Sequence, residues 1–185
     1  MAQYDIPFLQ EDANGRFARV TLAPGAVQTH LETAPTTRVP YARLATMGNI
    51  YVDGNAVATP IGSSGTWVKV AVFASSDVGL DVVPTVGSHQ ISITTTGYYL
   101  VGFNVSFTGT LDDVIELEVQ TTTGTRFRAV HSEVKVVATG KIMTASATSA
   151  LSLTAGQILA LYVNNNTAAN NITAKDVSLF VVRLA

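Results

Sequence analysis

Residues 97 to 107 read Gly97-Tyr98-Tyr99-Leu100-Val101-Gly102-Phe103-Asn104-Val105-Ser106-Phe107. Successive side chains of a strand point to opposite faces. Tyr99, Val101, Phe103, Val105 and Phe107 then form an unbroken apolar row, which must face a core. The opposite row is Tyr98, Leu100, Gly102, Asn104 and Ser106. It begins apolar and ends polar, whereas a solvated outer face is polar throughout. Tyr98 and Leu100 therefore read as half-covered, and Gly102 as a point where another backbone can come close. Either other strands of the same domain or a second subunit can supply that cover. The second possibility makes Tyr98, Leu100 and Gly102 candidate subunit-interface residues.

Outward from this strand the pattern repeats. Strands are expected at about 49–52, 67–73, 90–94, 113–121, 126–137, 141–153, 158–164 and 176–184. Turn signals lie between them, among them Asp53-Gly54-Asn55, Gly62-Ser63-Ser64-Gly65 and Thr123-Gly124. Short strands at a spacing of roughly 10–15 residues are the mark of a sandwich or barrel. No window keeps a 3.6-residue period, so almost no helix is expected. Leu159 and Leu161 on one strand and Phe180 on the last are further expected core residues.

The first 48 residues read differently. Pro7, Pro24, Pro35 and Pro40 are four of the 6 prolines in the chain. Proline fixes φ and removes a ladder donor, so regular structure here must be short. One strand, 16–22, is expected. The segment also carries Tyr4, Ile6, Phe8, Leu9, Phe17, Val20 and Leu22, which a flexible linker would not need. Residues 1–48 are read as an extended arm that packs on another surface, and residues 49–185 as the β domain.

Composition bounds the function. Of 185 residues, 47% are hydrophobic and only 13% charged. A soluble domain usually has about 25% charged residues, so part of this surface is expected to be covered by a partner. The net charge of −2 gives no pull toward nucleic acid or an anionic membrane. No run approaches the ~18 apolar residues of a membrane helix. The start, MAQYDIPFLQED, lacks a basic region followed by an apolar run, so no secretory signal is expected. There is no cysteine, which excludes disulfides and thiolate metal sites.

No chemistry-bearing constellation stands out. His30, His89 and His131 are far apart in sequence, with no metal-type spacing. His131 shares a strand face with Glu133, which suggests a surface pair. Asp112, Asp113, Glu116 and Glu118 form the densest acidic group and read as solvated strand positions. Arg126 and Arg128 read as a solvated face. The polar run Asn164-Asn165-Asn166-Thr167 and Asn170-Asn171-Ile172-Thr173 reads as a surface hairpin, with sugar recognition through its amides as the other possibility. No catalytic residue, metal or cofactor is expected.

The run GYYLVGFNV resembles the hallmark strand of C1q/TNF-like jelly rolls. Val114–Val119 and the turn at Thr123-Gly124 continue the likeness. So do Leu151-Ser-Leu-Thr-Ala-Gly-Gln-Ile-Leu-Ala-Leu161, with Gln157 where an acid is usual, and Ser178-Leu-Phe-Val-Val-Arg-Leu184. The likeness covers about residues 65–185. It implies an all-β jelly-roll sandwich of about ten strands that assembles as a homotrimer. The calcium sites and disulfides of that family have no matching residues here. Residues 46–70, TMGNIYVDGNAVATPIGSSGTWVKV, are similar to a segment of bacteriophage virion proteins that leads into a trimeric jelly roll. Together these imply a non-enzymatic phage virion protein, assembled in the host cytoplasm. The expected role is capsid decoration, or cement, with the N-terminal arm holding the major capsid protein. The alternative is a tail-fibre or receptor-binding tip, attached to tail proteins and recognising host glycans.

Overall fold

The computed structural model describes residues 8–11, 17–20, 46–77, 79 and 81–184. The chain divides into two compact units, Met1–Ala42 and Arg43–Ala185. In the first, β1 (Phe8–Glu11) and β2 (Phe17–Val20) pair antiparallel, with Phe8 opposite Val20 and Glu11 opposite Phe17. Within the strand expected over 16–22 the described residues are Phe17–Val20, and they have a partner that the sequence did not signal. Tyr4, Ile6 and Leu22 lie outside the described residues.

The second unit is a two-sheet antiparallel sandwich, a C1q/TNF-like jelly roll. Its strands are β3 (Met47–Val52), β4 (Val68–Lys69), β5 (Ser75–Asp77), β6 (Val82–Thr85), β7 (Gln90–Ile93), β8 (Gly97–Thr108), β9 (Val114–Thr121), β10 (Arg126–Lys135), β11 (Met143–Leu153), β12 (Ile158–Asn165) and β13 (Thr173–Arg183). One sheet runs β10-β9-β12-β7-β6, with β4 also pairing β12; the other runs β11-β8-β13-β3-β5. Among the described residues the one helical element is a 3-10 turn, Val86–Ser88. Met47 and Gly48, assigned to the arm in sequence, belong to β3 and pair with Val182 and Val181.

The core lies between the sheets. Tyr99, Val101, Phe103, Val105 and Phe107 of β8 are buried, as are Leu159 and Leu161 of β12. Burying such side chains contributes about 1.5–3 kcal/mol each. Tyr99 keeps its hydroxyl satisfied by donating to the Thr95 carbonyl. Phe180 corrects the expectation: it pairs with Gly102, on the outer face, and is only half-buried. Its neighbours Leu179 and Val181 point into the core instead. The expected strand 67–73 also breaks up. Only Val68 and Lys69 join β12, after which Val70 and Phe73 turn inward. β6 contains Pro84 and escapes the usual strand signals. It is an edge strand, where a missing N–H need not break the sheet.

Three charged-residue readings change. Glu118 is not solvated: its side chain is fully buried, and both oxygens are taken by Arg126. Arg126 Nε donates to Oε1 at 2.7 Å and Nη2 to Oε2 at 2.8 Å. Trp67 lies against the same guanidinium, with its ring centre 4.4 Å from Cζ. The bidentate geometry supplies the strong hydrogen bonds that a buried carboxylate needs, and the ring adds a cation–π contact. Asp113 is also buried, and it accepts a bond from Asn170 Nδ2 at 3.1 Å. His131 meets Glu116 across the ladder, Nε2 to Oε1 3.7 Å, rather than Glu133. Glu116 stands opposite Glu133 and is the diagonal cross-strand neighbour of His131, a position still within reach of long side chains.

The Arg126–Glu118 pair should therefore matter to stability. Removing one partner of a buried pair costs about 3–5 kcal/mol. Arg126 keeps 34% of its side chain exposed, so Arg126→Ala should cost less, about 2–3 kcal/mol, read from urea denaturation. Adding Glu118→Gln should recover part of that loss, because no charge is then left buried. A loss under about 0.5 kcal/mol would show a pair of the ordinary surface kind.

Candidate functional site

The outer face of the five-stranded sheet is the candidate site, and cross-strand register defines it. Gly102 stands opposite Thr148 on one side and Phe180 on the other; Leu100 stands opposite Ala150 and Val182. Met47 extends the same row through Val182. One end of the face is thus apolar. Tyr98 is 61% exposed, Met47 46% and Leu184 56%. Leu100, Phe180 and Val182 are half-buried. Exposed apolar side chains next to one another mark interaction surfaces far better than single ones do.

The interior of the patch explains Gly102. A Cβ there would lie 2.5 Å from Phe180 Cζ, 2.5 Å from Thr148 Oγ1 and 3.0 Å from the Ala147 carbonyl oxygen. The glycine leaves room for the Phe180 ring of its own chain. That corrects the simple reading of Gly102 as a seat for another backbone. The sequence held the signal, because Phe180 and Gly102 are both small-large complements on facing strands. It could not be read without the register.

The other end of the face is polar and concave. A groove of about 480 Å³ is lined by Tyr51, Asp53, Asn104, Ser106, Thr144, Ser146, Asp176 and Ser178, among others. Of the face positions on β3, β8, β11 and β13, Asp176 is the sole charged one. Its Oδ1 accepts the Gly54 N–H at 2.9 Å and its Oδ2 the Ser106 hydroxyl at 2.5 Å. These bonds, the Gly54 one foremost, hold the Asp176 carboxyl below its ordinary value. The Asp53 carboxyl, hydrogen-bonded to Asp176 and repelled by its charge, is held above its own. Sequence reasoning missed both residues, because Asp53 looked like a turn residue and Asp176 like a strand end.

The asparagine-rich segment is built inward. Asn164 and Asn165 are buried. Asn165 Oδ1 accepts the N–H groups of Thr167 and Ala168 at 3.0 and 3.1 Å, and its Nδ2 donates to the Asn170 carbonyl. Asn171 Oδ1 accepts the Ile61 N–H at 2.9 Å. These bonds stabilise the loop, while Asn166 and Asn171 are exposed. Among the described residues no group of three or more His, Asp or Glu could hold a metal ion.

No protein-family model and no curated protein matches the chain. Solved structures do. The Eiger TNF of S. frugiperda superposes with a TM-score of 0.53 at 19% identity, covering 76% of this chain and 93% of that one. Murine APRIL at pH 5.0 gives 0.53 at 12% identity, covering 76% and 99%. At such identities what is shared is the fold, a TNF-like jelly roll.

The Gly102–Phe180 contact gives a direct test of how this face is built. Gly102→Ala should destabilise by about 1–3 kcal/mol, as overpacking does, measured by thermal or urea unfolding. Adding Phe180→Leu, which removes Cζ, should return part of that stability. A neutral Gly102→Ala would mean the ring does not lie where it is placed here.

Proposed function

We propose that the chain is a non-enzymatic virion structural protein: a homotrimeric jelly roll that decorates a bacteriophage capsid and is anchored there by its N-terminal segment. The observation that carries the self-association is the outer face of the β11-β8-β13-β3 sheet. It places Tyr98, Leu100, Phe180, Val182 and Met47 side by side with a single charged residue among the strand positions. Depletion of charge around aromatic and aliphatic side chains is the composition of an interface core. The resemblance of residues 97–107, 151–161 and 178–184 to C1q/TNF-like domains implies that the number of copies is three.

The capsid role draws on the other features. Residues 46–70 are similar to a phage virion segment. Residues 1–42 are apolar and proline-rich without a period, which suits a segment that gains its cover from a partner. Three such segments on one trimer would bind a repeating lattice by avidity, since linked sites raise the effective concentration of one another. The partner in this reading is the major capsid protein and the location is the virion. The alternative is a tail-fibre tip that reads host glycans.

Binding to expanded phage capsids tests the proposal. The full chain should co-sediment with them, and a chain lacking residues 1–42 should lose at least 100-fold in apparent affinity, the scale that avidity supplies. Equal binding with and without that segment would contradict the anchoring role. Glycan-array binding without capsid binding would favour the fibre tip.

A further inference from the structure

The groove at the polar end of the sheet face is built from two rows of side chains laid across the strands. In the first, Ser146 of β11 stands opposite Asn104 of β8, Asn104 opposite Ser178 of β13, and Ser178 opposite Tyr51 of β3. In the second, Thr144 stands opposite Ser106, and Ser106 opposite Asp176. Residues paired across a ladder share one face of the sheet, so both rows point into the groove. Its floor is strand backbone, because Val105, Ala145 and Val177 turn their side chains into the core. The volume of about 480 Å³ falls within the roughly 300–1,000 Å³ of small-molecule sites.

The polar groups of the lining fall into two sets. One set is engaged within the chain. Asp176 accepts the Gly54 N–H at 2.9 Å and the Ser106 hydroxyl at 2.5 Å, and the Ser178 hydroxyl donates to Asn49 Oδ1 at 3.1 Å. These bonds link β8, β13 and β3 and hold the shape of the groove. The other set has no hydrogen-bond partner among the described residues: the Asn104 amide, the Thr144 and Ser146 hydroxyls and the Tyr51 phenol. All four residues are exposed. They sit on regular strands, whose paired backbone fixes their spacing better than a loop would.

The second set specifies the ligand. An amide and a hydroxyl each donate and accept, which complements the hydroxyl groups of a sugar. The lining contains two carboxyls, Asp53 and Asp176, and no Lys, Arg or His. A phosphate or an acidic sugar would therefore meet like charge, which costs affinity. A cation would have to share Asp176 with the two bonds it already accepts. The Tyr51 ring, 38% exposed, offers apolar surface for the C–H face of a pyranose and a hydroxyl at its edge. We propose that this groove binds a neutral saccharide, with Asn104, Thr144 and Ser146 bonding its hydroxyls and Tyr51 packing on its ring. The site is separate from the asparagine-rich loop and from residues 1–42. It goes beyond the capsid role and does not depend on it.

A glycan array carrying neutral hexose and N-acetylhexosamine oligosaccharides beside sialylated and sulfated ones tests it, probed with the full chain. Titration calorimetry with the strongest neutral binder then gives the affinity. The wild type should bind neutral glycans and not acidic ones. Asn104→Ala should weaken binding about tenfold, the upper range for one net hydrogen bond. Ser146→Tyr, which fills the groove, should remove binding. Ser152→Ala, opposite Tyr98 at the far end of β11, should bind as the wild type does. Thermal unfolding of each variant confirms the fold. Binding to acidic glycans alone, no glycan binding by the folded chain, or binding that neither groove substitution weakens overturns the proposal. Co-sedimentation of Ser146→Tyr with capsids reads the anchoring separately and should match the wild type.

Discussion

β8 pairs along its length with β11 on one side and β13 on the other, from Gly97 opposite Leu153 to Thr108 opposite Thr173. Its register therefore fixes the five-stranded sheet. A slip of one residue would turn Tyr99, Val101, Phe103, Val105 and Phe107 out to solvent and bring Asn104 and Ser106 into the core. The inward row packs against Ile115, Leu117 and Val119 of β9 and Leu159, Leu161 and Val163 of β12 within one cluster. The outward row sets what the face can offer another molecule. One strand thus decides both the stability of the single copy and the character of its exposed sheet.

The two sheets treat their outer faces in opposite ways. On the β10-β9-β12 sheet the face is closed within the chain, because Arg126 binds the buried Glu118 and Trp67 lies over the guanidinium. On the β11-β8-β13-β3 sheet the described residues show no such ion pair, and its strands are linked instead by hydrogen bonds from Ser106 to Asp176 and from Ser178 to Asn49. Phe180 fills the space over Gly102, but Tyr98, Met47 and Leu184 stay exposed. The contrast points self-association to the second face. The proposed self-association would also account for the low charge of the chain.

The sandwich was legible in the sequence where alternation was strong. Tyr99 to Phe107, Ile115 to Val119 and Leu159 to Val163 each carry their apolar row in one parity. Legibility failed where a residue type contradicted its surroundings. Pro84 hid β6, and Ser75-Ser76-Asp77 gave β5 no apolar signal. Phe180 was placed in the core on its type alone, although Leu179 and Val181 hold that parity. The Arg126–Glu118 bond was out of reach, because a register shift lies between Arg126 and His131 and moves Arg126 off the simple count. The apolar end of the exposed sheet face was readable from Tyr98 and Leu100. The carboxyl pair was not, since Asp53 and Asp176 are 123 positions apart and meet only through the ladder of β3 with β13.

The central claim is that the exposed face of β8 and its neighbours joins copies of this chain. The most direct measurement is the solution mass of the full chain, by native mass spectrometry and by light scattering after size exclusion at micromolar concentration. The account predicts a species of three times the 19.5 kDa chain mass, reduced to single copies when Tyr98→Glu and Leu100→Glu are introduced together. A single copy of the unaltered chain at that concentration would contradict it, as would a trimer that both substitutions leave intact.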